Sequence, residues 1–189
     1  MRGLLDARRL ADGLVTAMRP HCDRIEIAGS IRRGKPEVKD IELVAIPRWV
    51  DEPDPSNLFA EDRIRVNQLH RWATSRAVLA HGLQWIKPAT SVILPWTPRP
   101  DGQYWRGYLP EHELKVDLFL SERETWGLDL LIRTGPAEFG RELMIAFQRR
   151  GYRVKGGHLW QGQTRIPTPE EEQLFQHLGL PWIPPADRR

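Results

Sequence analysis

The sequence is poor in cysteine and in long apolar runs. Cys22 is the one cysteine in 189 residues, so the sequence excludes an internal disulfide and a cysteine-based metal cluster. No apolar run reaches the length that a transmembrane helix needs. The charges at Arg2, Asp6 and Arg8 interrupt any hydrophobic block of the kind that a signal peptide carries. We therefore expect a cytoplasmic protein that does not bind membranes.

Lysine is also scarce, with five lysines against 23 arginines and a formal net charge of +3. The positive charge is concentrated between residues 133 and 165, where seven basic residues accompany two acidic ones. Such a concentration indicates a surface that contacts nucleic-acid phosphates. The alternative is an arginine-rich face that is simply solvated. The basic residues are Arg133, Arg141, Arg149, Arg150, Arg153, Lys155 and Arg165.

The most informative stretch runs from Ile25 to Ile46, where two apolar runs of strand composition bracket a Gly29-Ser30 turn and a basic segment. Alternation in the second run places Asp40 and Glu42 on one face. Two adjacent carboxylates repel each other unless a cation neutralises them, and hard oxygen ligands suit Mg²⁺ or Mn²⁺. The Gly-Ser turn offers backbone amides and a hydroxyl, which suit a phosphate. A phosphate cradle beside a metal-binding face suggests chemistry on a nucleoside triphosphate.

A third carboxylate lies on a later strand. Residues 113–120 alternate strictly, so Lys115, Asp117 and Phe119 share one face. Asp117 is thus a candidate metal ligand. A simple ion pair with Lys115, or a hydrogen bond to a neighbouring backbone amide, is the structural alternative.

The remaining patterns outline two parts of the chain. Apolar spacing predicts a helix over residues 3–19, and Pro20 ends it. A second helix is predicted from a Ser56 cap to about His81, with Leu58, Leu69, Trp72, Ala73 and Leu79 buried and Gly82 as its stop.

The character of the chain changes after Ser121. We expect a turn at residues 134–136, a helix over 139–150, a hairpin around Gly156-Gly157, and a helix that Thr168 caps and that ends at Leu178. The predicted division is 1–121 for a sheet-based catalytic module and 122–189 for a small α/β module.

Several motifs together resemble the family X DNA polymerases. They are G-S-I-R-R-G at residues 29–34, D-I-E at 40–42, K-V-D-L-F at 115–119, R-T-G-P-A-E-F at 133–139, G-Y-R-V with a later L-W at 151–160, and P-T-P-E-E-E-Q-L-F with the closing L-G-L-P-W-I-P-P-A-D-R-R at 167–189. The resemblance implies an α+β fold: a nucleotidyltransferase palm with a mixed, mostly antiparallel sheet and flanking helices, plus a small C-terminal α/β thumb/fingers subdomain. It is similar to a reduced form that has only these two parts, as in some viral versions, which suggests a bacterial or viral origin.

The resemblance also implies roles for individual residues. Asp40, Glu42 and Asp117 would hold two Mg²⁺ ions, with Mn²⁺ as a possible substitute, and Asp117 would lie nearest the attacking primer 3′-hydroxyl. The residues at nucleotide-binding positions are Gly29, Ser30, Arg33, Lys39, Thr134 and Gly135. The residues at candidate DNA-binding positions are Lys115, Arg133, Arg141, Arg149, Arg150, Arg153 and Lys155. Arg32 is expected to point into the structure instead.

Three positions depart from the family pattern. Glu42 stands where the family usually has Asp, Lys39 where polymerase beta has Gly, and Ile132-Arg133 where many members have an aromatic pair. The resemblance therefore implies neither a choice between Mg²⁺ and Mn²⁺ nor discrimination against ribonucleotides. Trp105 and Trp160 are the candidates for stacking on bases.

The resulting hypothesis is a monomeric DNA polymerase that transfers nucleotides from dNTPs to a primer-template or gapped duplex, filling short gaps in DNA repair. Template-independent terminal addition is a close variant. A nucleotidyltransferase that acts on a small molecule, a protein or tRNA is an alternative of another class, and a DNA-binding scaffold without catalysis is the non-enzymatic one.

Overall fold

The computed structural model describes residues 1–55, 63–88 and 93–189. Within these ranges the strands are β1 (Arg2–Gly3), β2 (Cys22–Ile27), β3 (Glu37–Val38), β4 (Asp40–Pro47), β5 (Trp49–Pro53), β6 (Arg63–Asn67), β7 (Gln84–Ile86), β8 (Tyr104–Leu109), β9 (Leu114–Leu120), β10 (Tyr152–Lys155), β11 (His158–Gln161) and β12 (Thr164–Ile166). The α-helices are α1 (Leu4–Met18), α2 (Gly29–Arg32), α3 (Gln68–Ala73), α4 (Trp126–Thr134), α5 (Ala137–Arg149) and α6 (Glu171–His177). Short 3₁₀ helices cover Arg19–His21, Arg76–His81, Pro110–His112 and Pro185–Asp187.

A five-stranded sheet in the order β2-β4-β9-β8-β7 organises the first part of the chain. Strands β4 and β9 pair in parallel, and the other neighbours in this sheet pair antiparallel. The sheet is therefore mixed and mostly antiparallel, and helices flank it. This confirms the α+β fold class that the sequence predicted.

The two faces of this sheet have different roles. One face carries Ile41, Leu43 and Val116 into a core that α1 covers with side chains such as Ala11 and Met18. The predicted helix at the start of the chain is thus confirmed, since its buried residues recur at the spacing of one helix face. The opposite face carries the acidic side chains near the start of β4, and it is apolar only further along the strand.

The second part of the chain has its own core. Leu128, Leu143, Leu159 and Phe175 pack together from α4, α5, β11 and α6, beside the three-stranded antiparallel sheet β10-β11-β12. A small cluster that includes Val44 of β4 and Trp126 of α4 joins this part to the central sheet. The division at residue 121 stays a prediction.

The structure corrects the predicted second helix. Ser56 and Leu58 lie outside the described residues, but residues 63–67 form strand β6, which pairs with β5. The physical reason is the alternation R-I-R-V-N, which suits a two-stranded ribbon better than a helix face. Leu79 was expected in the core and is 62% exposed, whereas Leu69, Trp72 and Ala73 are buried and Gly82 ends the segment as predicted.

The cap of the last helix is a second correction. Glu170, not Thr168, is the N-cap of α6, because its side chain and that of Gln173 form a capping box. Thr168 is buried instead, and its hydroxyl and amide both donate to the carbonyl of Glu124. No helix in the described ranges is long and apolar enough to cross a membrane.

Candidate active site

The parallel pairing of β4 with β9 brings the three acidic positions together. Glu42 lies directly opposite Asp117, and Asp40 lies opposite Lys115. Paired residues on neighbouring strands project to the same side of a sheet. Asp40, Glu42 and Asp117 therefore share the face that is opposite the α1 core, and we call this surface the acidic face.

The Gly29-Ser30 turn lies against the acidic face. Gly29 has φ +60, and a Cβ added there would overlap the Glu42 carboxylate, so a larger residue cannot take this position unchanged. The Ala28 amide donates to the Glu42 carbonyl at 2.8 Å, which fixes the turn to β4. The Ser30 hydroxyl is buried and has no hydrogen-bond partner in the described part of the chain. An orphaned hydroxyl beside a glycine turn suits an incoming polar ligand.

A cavity of about 610 Å³ opens in front of this turn. Its walls combine the acidic face with several cationic side chains, and this volume is within the range of small-molecule sites. The lining residues are Ser30, Arg33, Lys35, Pro36, Glu37, Lys39, Asp40 and Glu42.

Crowding of the carboxylates perturbs their proton affinity. Burial, and then the charges of Asp40 and Asp117, raises the pKa of Glu42 from 4.5 to about 7, although Arg33 and Arg133 oppose the rise. Burial and the charge of Asp117 likewise raise the pKa of Asp40. Neither Asp40 nor Glu42 forms a side-chain hydrogen bond or ion pair within residues 1–55, 63–88 and 93–189. A bound cation would neutralise these crowded carboxylates and favour their ionised forms.

Asp117, in contrast, accepts three hydrogen bonds from neighbouring side chains. The Arg106 guanidinium donates to both of its carboxylate oxygens, at 2.7 and 2.9 Å, and the Tyr104 hydroxyl donates at 2.7 Å. Sequence analysis missed both partners and weighed Lys115 instead, which is exposed. The alternation Y-W-R-G-Y places Tyr104 and Arg106 on one face, but only the antiparallel register of β8 with β9 sets Arg106 opposite Asp117.

As they stand, the acids do not enclose an ion. In the described part of the chain, no three His, Cys, Asp or Glu side chains are grouped closely enough to hold one. The donor set nevertheless fits a divalent cation, because the three carboxylates share one face and two of them have raised pKa values.

Two other predicted nucleotide-binding residues, Thr134 and Gly135, contact the Arg33 side chain. Arg33 donates to the Thr134 carbonyl, and Gly135 lies against the same guanidinium with φ +62. Thr134 is fully buried, so these two residues position Arg33 and are not part of the cavity wall. Lys39 lines the cavity.

Arg32 points into the structure, as expected, and joins a buried network that sequence analysis did not predict. It donates to both carboxylate oxygens of Glu171 at 3.0 Å and to the Thr134 hydroxyl at 2.8 Å. Arg188 donates to Glu171 at 2.7 Å and is itself 2% exposed. Burial favours a higher pKa for Glu171, but the bonds from Arg188 and Arg32 outweigh it and hold the pKa below its usual value. The network links the Gly-Ser turn to the last residues of the chain.

The candidate DNA-binding residues divide into two groups. Lys115 and Arg133 lie beside the acidic face, with the Arg133 guanidinium 3.9 Å from the centre of the Phe119 ring. The others are exposed on α5, at its C-terminal end or on β10, namely Arg141, Arg149, Arg150, Arg153 and Lys155.

The two tryptophans proposed for base stacking differ. Trp105 is fully buried, so that prediction is wrong, because its side chain points to the core face of β8. Trp160 is partly exposed and carries the Arg165 guanidinium 5.1 Å from its ring centre.

Comparison with known proteins finds similarity to enzymes of the DNA polymerase type. Residues 129–189 match the family model of the DNA polymerase beta thumb. Over 91 residues the chain is 33% identical to DNA nucleotidylexotransferase of Eulemur macaco, covering 47% of this chain and 17% of that protein. Over 170 residues it is 28% identical to DNA polymerase/3'-5' exonuclease PolX of Bacillus subtilis (strain 168), covering 89% of this chain and 25% of that protein. The chain thus spans a quarter or less of the length of these relatives.

The α+β fold with a thumb of this type is thus similar to two relatives whose names describe nucleotidyl transfer. The thumb match and both relatives agree further on one family. The chain is thus similar to family X DNA polymerases, in agreement with the resemblance in its sequence.

Proposed function

We propose that the protein transfers nucleotides from dNTPs to a primer 3′-hydroxyl and fills short gaps in DNA during repair. The observation that carries this proposal is the register of β4 and β9, which sets Glu42 opposite Asp117 beside the Gly29-Ser30 turn. Acids and a phosphate-binding turn are both needed for this reaction, and here they line or adjoin one cavity.

In this proposal the acidic residues hold two Mg²⁺ ions, for which Mn²⁺ could substitute. Bound ions of this kind lower the pKa of an attacking hydroxyl and neutralise charge on the leaving pyrophosphate. Asp40 and Glu42 contribute carboxylates that have no protein cation bound to them within the described residues. Asp117 adds a third carboxylate from the neighbouring strand.

The triphosphate is assigned to the cavity in front of Gly29. The Ser30 hydroxyl and the Arg33 and Lys39 side chains lie there and supply hydrogen bonds and positive charge. Arg33 is pre-oriented, because its guanidinium is already fixed to the Thr134 carbonyl. The exposed arginines of α5 and β10 are assigned to the DNA backbone, and such contacts make binding strongly dependent on salt.

The direct test is extension of a primer on gapped DNA with labelled dNTPs, in Mg²⁺ and in Mn²⁺. We expect incorporation by the wild type and a loss of at least roughly a thousandfold for Asp40→Asn and Asp117→Asn, the order expected on removal of a catalytic metal ligand. Asp12→Asn is the matched control, because Asp12 is exposed on α1 and pairs with Arg8 far from the acidic face. A loss below tenfold for both catalytic variants would contradict the assignment.

Template-independent addition is the second candidate, and the match to a DNA nucleotidylexotransferase favours it. A single-stranded primer without template separates the two activities, since only terminal addition extends it. Absence of incorporation on every DNA substrate in both metals would favour transfer to a small molecule, a protein or tRNA.

A further inference from the structure

We propose that Arg106 and Tyr104 form a clamp on Asp117 that competes with a divalent cation, so that the ion which depends on Asp117 binds more weakly than the carboxylates alone would allow. The inference rests on the proposed metal-dependent function and deepens it. It names two residues, outside the motifs that the sequence offered, that set the metal affinity of the site.

The hydrogen bonds occupy most of the ligand capacity of Asp117. Arg106 Nε and Nη2 each bond one carboxylate oxygen, and Tyr104 Oη bonds the oxygen that already accepts from Nε. An ionised carboxylate offers about four lone-pair sites, and three of them are used here. A cation that binds Asp117 in the usual in-plane manner therefore competes with a bidentate, charge-assisted pair.

Packing holds the clamp in place. The Tyr104 ring stacks on Phe119 with the ring centres 5.1 Å apart, and the Arg106 guanidinium lies 5.6 Å from the centre of the Tyr104 ring. The Asp117 side chain is 9% exposed and that of Arg106 is 25% exposed, so water screens the pair only in part. The pair is thus packed into the acidic face and only partly screened by solvent.

The three carboxylates are consequently unequal. Asp40 and Glu42 lack a bonded cation in the described part of the chain, while Asp117 already has one. An ion can bind to Asp40 and Glu42 without competing with a protein contact, but an ion that binds Asp117 competes with the bonds from Arg106 and Tyr104. Lys115 lies two residues from Asp117 in sequence, but on the sheet it is opposite Asp40 and Tyr108. It therefore does not take the place of Arg106 as the partner of Asp117.

The test measures Mn²⁺ binding to the full chain, without nucleotide or DNA, by electron paramagnetic resonance of the free ion. We compare the wild type with Arg106→Met, which removes the clamp, and Tyr104→Phe, which removes only the hydroxyl. A charge-assisted pair of this kind predicts about tenfold tighter Mn²⁺ binding for Arg106→Met and a roughly two- to fivefold gain for Tyr104→Phe. Tyr104→Phe keeps the ring stacked on Phe119, so it remains informative if Arg106→Met unfolds.

Both substitutions are repeated in an Asp117→Asn background to separate the clamp from simple charge removal. Loss of a cation near the acidic face would tighten Mn²⁺ binding with or without the Asp117 carboxylate. A clamp on Asp117 instead predicts that the gain largely disappears in Asp117→Asn.

Unchanged or weaker Mn²⁺ binding in both single variants would overturn the clamp while leaving the proposed polymerase activity to be judged on gapped DNA. An equal gain in the Asp117→Asn background would also overturn it. Absence of Mn²⁺ binding in every protein would overturn the clamp and the metal-dependent function together. A tenfold gain without nucleotide incorporation would support the clamp and contradict only the proposed function.

Discussion

Replacing Glu42 by Gln should stabilise the metal-free protein above neutral pH. Glu42 is a carboxyl that burial and its acidic neighbours make difficult to ionise, with a pKa raised to about 7. Gln has nearly the same shape and never ionises. The substitution therefore removes an electrostatic penalty while it keeps the packing against Gly29.

The magnitude follows from proton linkage. A rise in pKa from 4.5 to about 7, at about 1.4 kcal/mol for each tenfold change in proton affinity, gives an upper bound of about 3 kcal/mol. Because Glu42 is only partly buried, we expect about 1–2 kcal/mol. The unfolded chain ionises near pH 4.5 and the folded chain only near pH 7. The penalty therefore develops between these values and is complete above pH 7.

The assay is urea unfolding of the wild type and Glu42→Gln, with EDTA, at intervals from pH 4.5 to 8.5. The free energies of unfolding should be similar near pH 4.5, and the variant should become more stable as the pH rises. Glu142→Gln, at an exposed position on α5, is the matched control and should show no such divergence. A variant that is less stable than the wild type at pH 8 would refute the electrostatic reasoning.

Three further predictions concern the rest of the site. Arg188→Met should cost about 1–3 kcal/mol of unfolding free energy in urea, because Glu171 loses one charge-assisted bond but stays paired with Arg32. Arg189→Met, at an exposed neighbour, should cost under about 0.5 kcal/mol. Gly29→Ala should displace the Glu42 carboxylate and weaken both Mn²⁺ binding and nucleotide incorporation at least about tenfold, with near-normal circular dichroism as evidence that the fold persists. Arg150→Ala should reduce the slope of log affinity for DNA against log salt by about 1, as fluorescence anisotropy would measure, if Arg150 contacts a phosphate.

The sequence could predict features that depend on neighbouring residues. Alternation alone places Asp40 with Glu42 and Lys115 with Asp117, because side-chain direction along a strand has a period of two. Alternation cannot say which distant strands are neighbours. The parallel pairing that unites the acids depends on the packing of the whole sheet, and sequence analysis did not predict it. It predicted the convergence of the three acids only through a family resemblance.

The missed residues show the same limit. Arg106 becomes a partner of Asp117 only through the register of β8 with β9, and Glu171 is one of three consecutive glutamates with nothing local to distinguish it. The error over residues 63–67 has another cause. Periodicity in a run as short as residues 63–67 does not distinguish a helix from a strand, so the helix predicted from Ser56 includes the residues that form β6.

Glu171 contacts both Arg32, next to the Gly-Ser turn, and Arg188, near the end of the chain. These contacts change what can be concluded from loss-of-function variants in the C-terminal segment. A substitution there can disturb the loop that we assign to nucleotide binding without touching any substrate, because Arg32 and Arg188 share the Glu171 carboxylate. Variants that impair turnover in a mutational scan of α6 or the chain end would then not identify a DNA contact by themselves. Nucleotide affinity measured without DNA would separate the two kinds of defect.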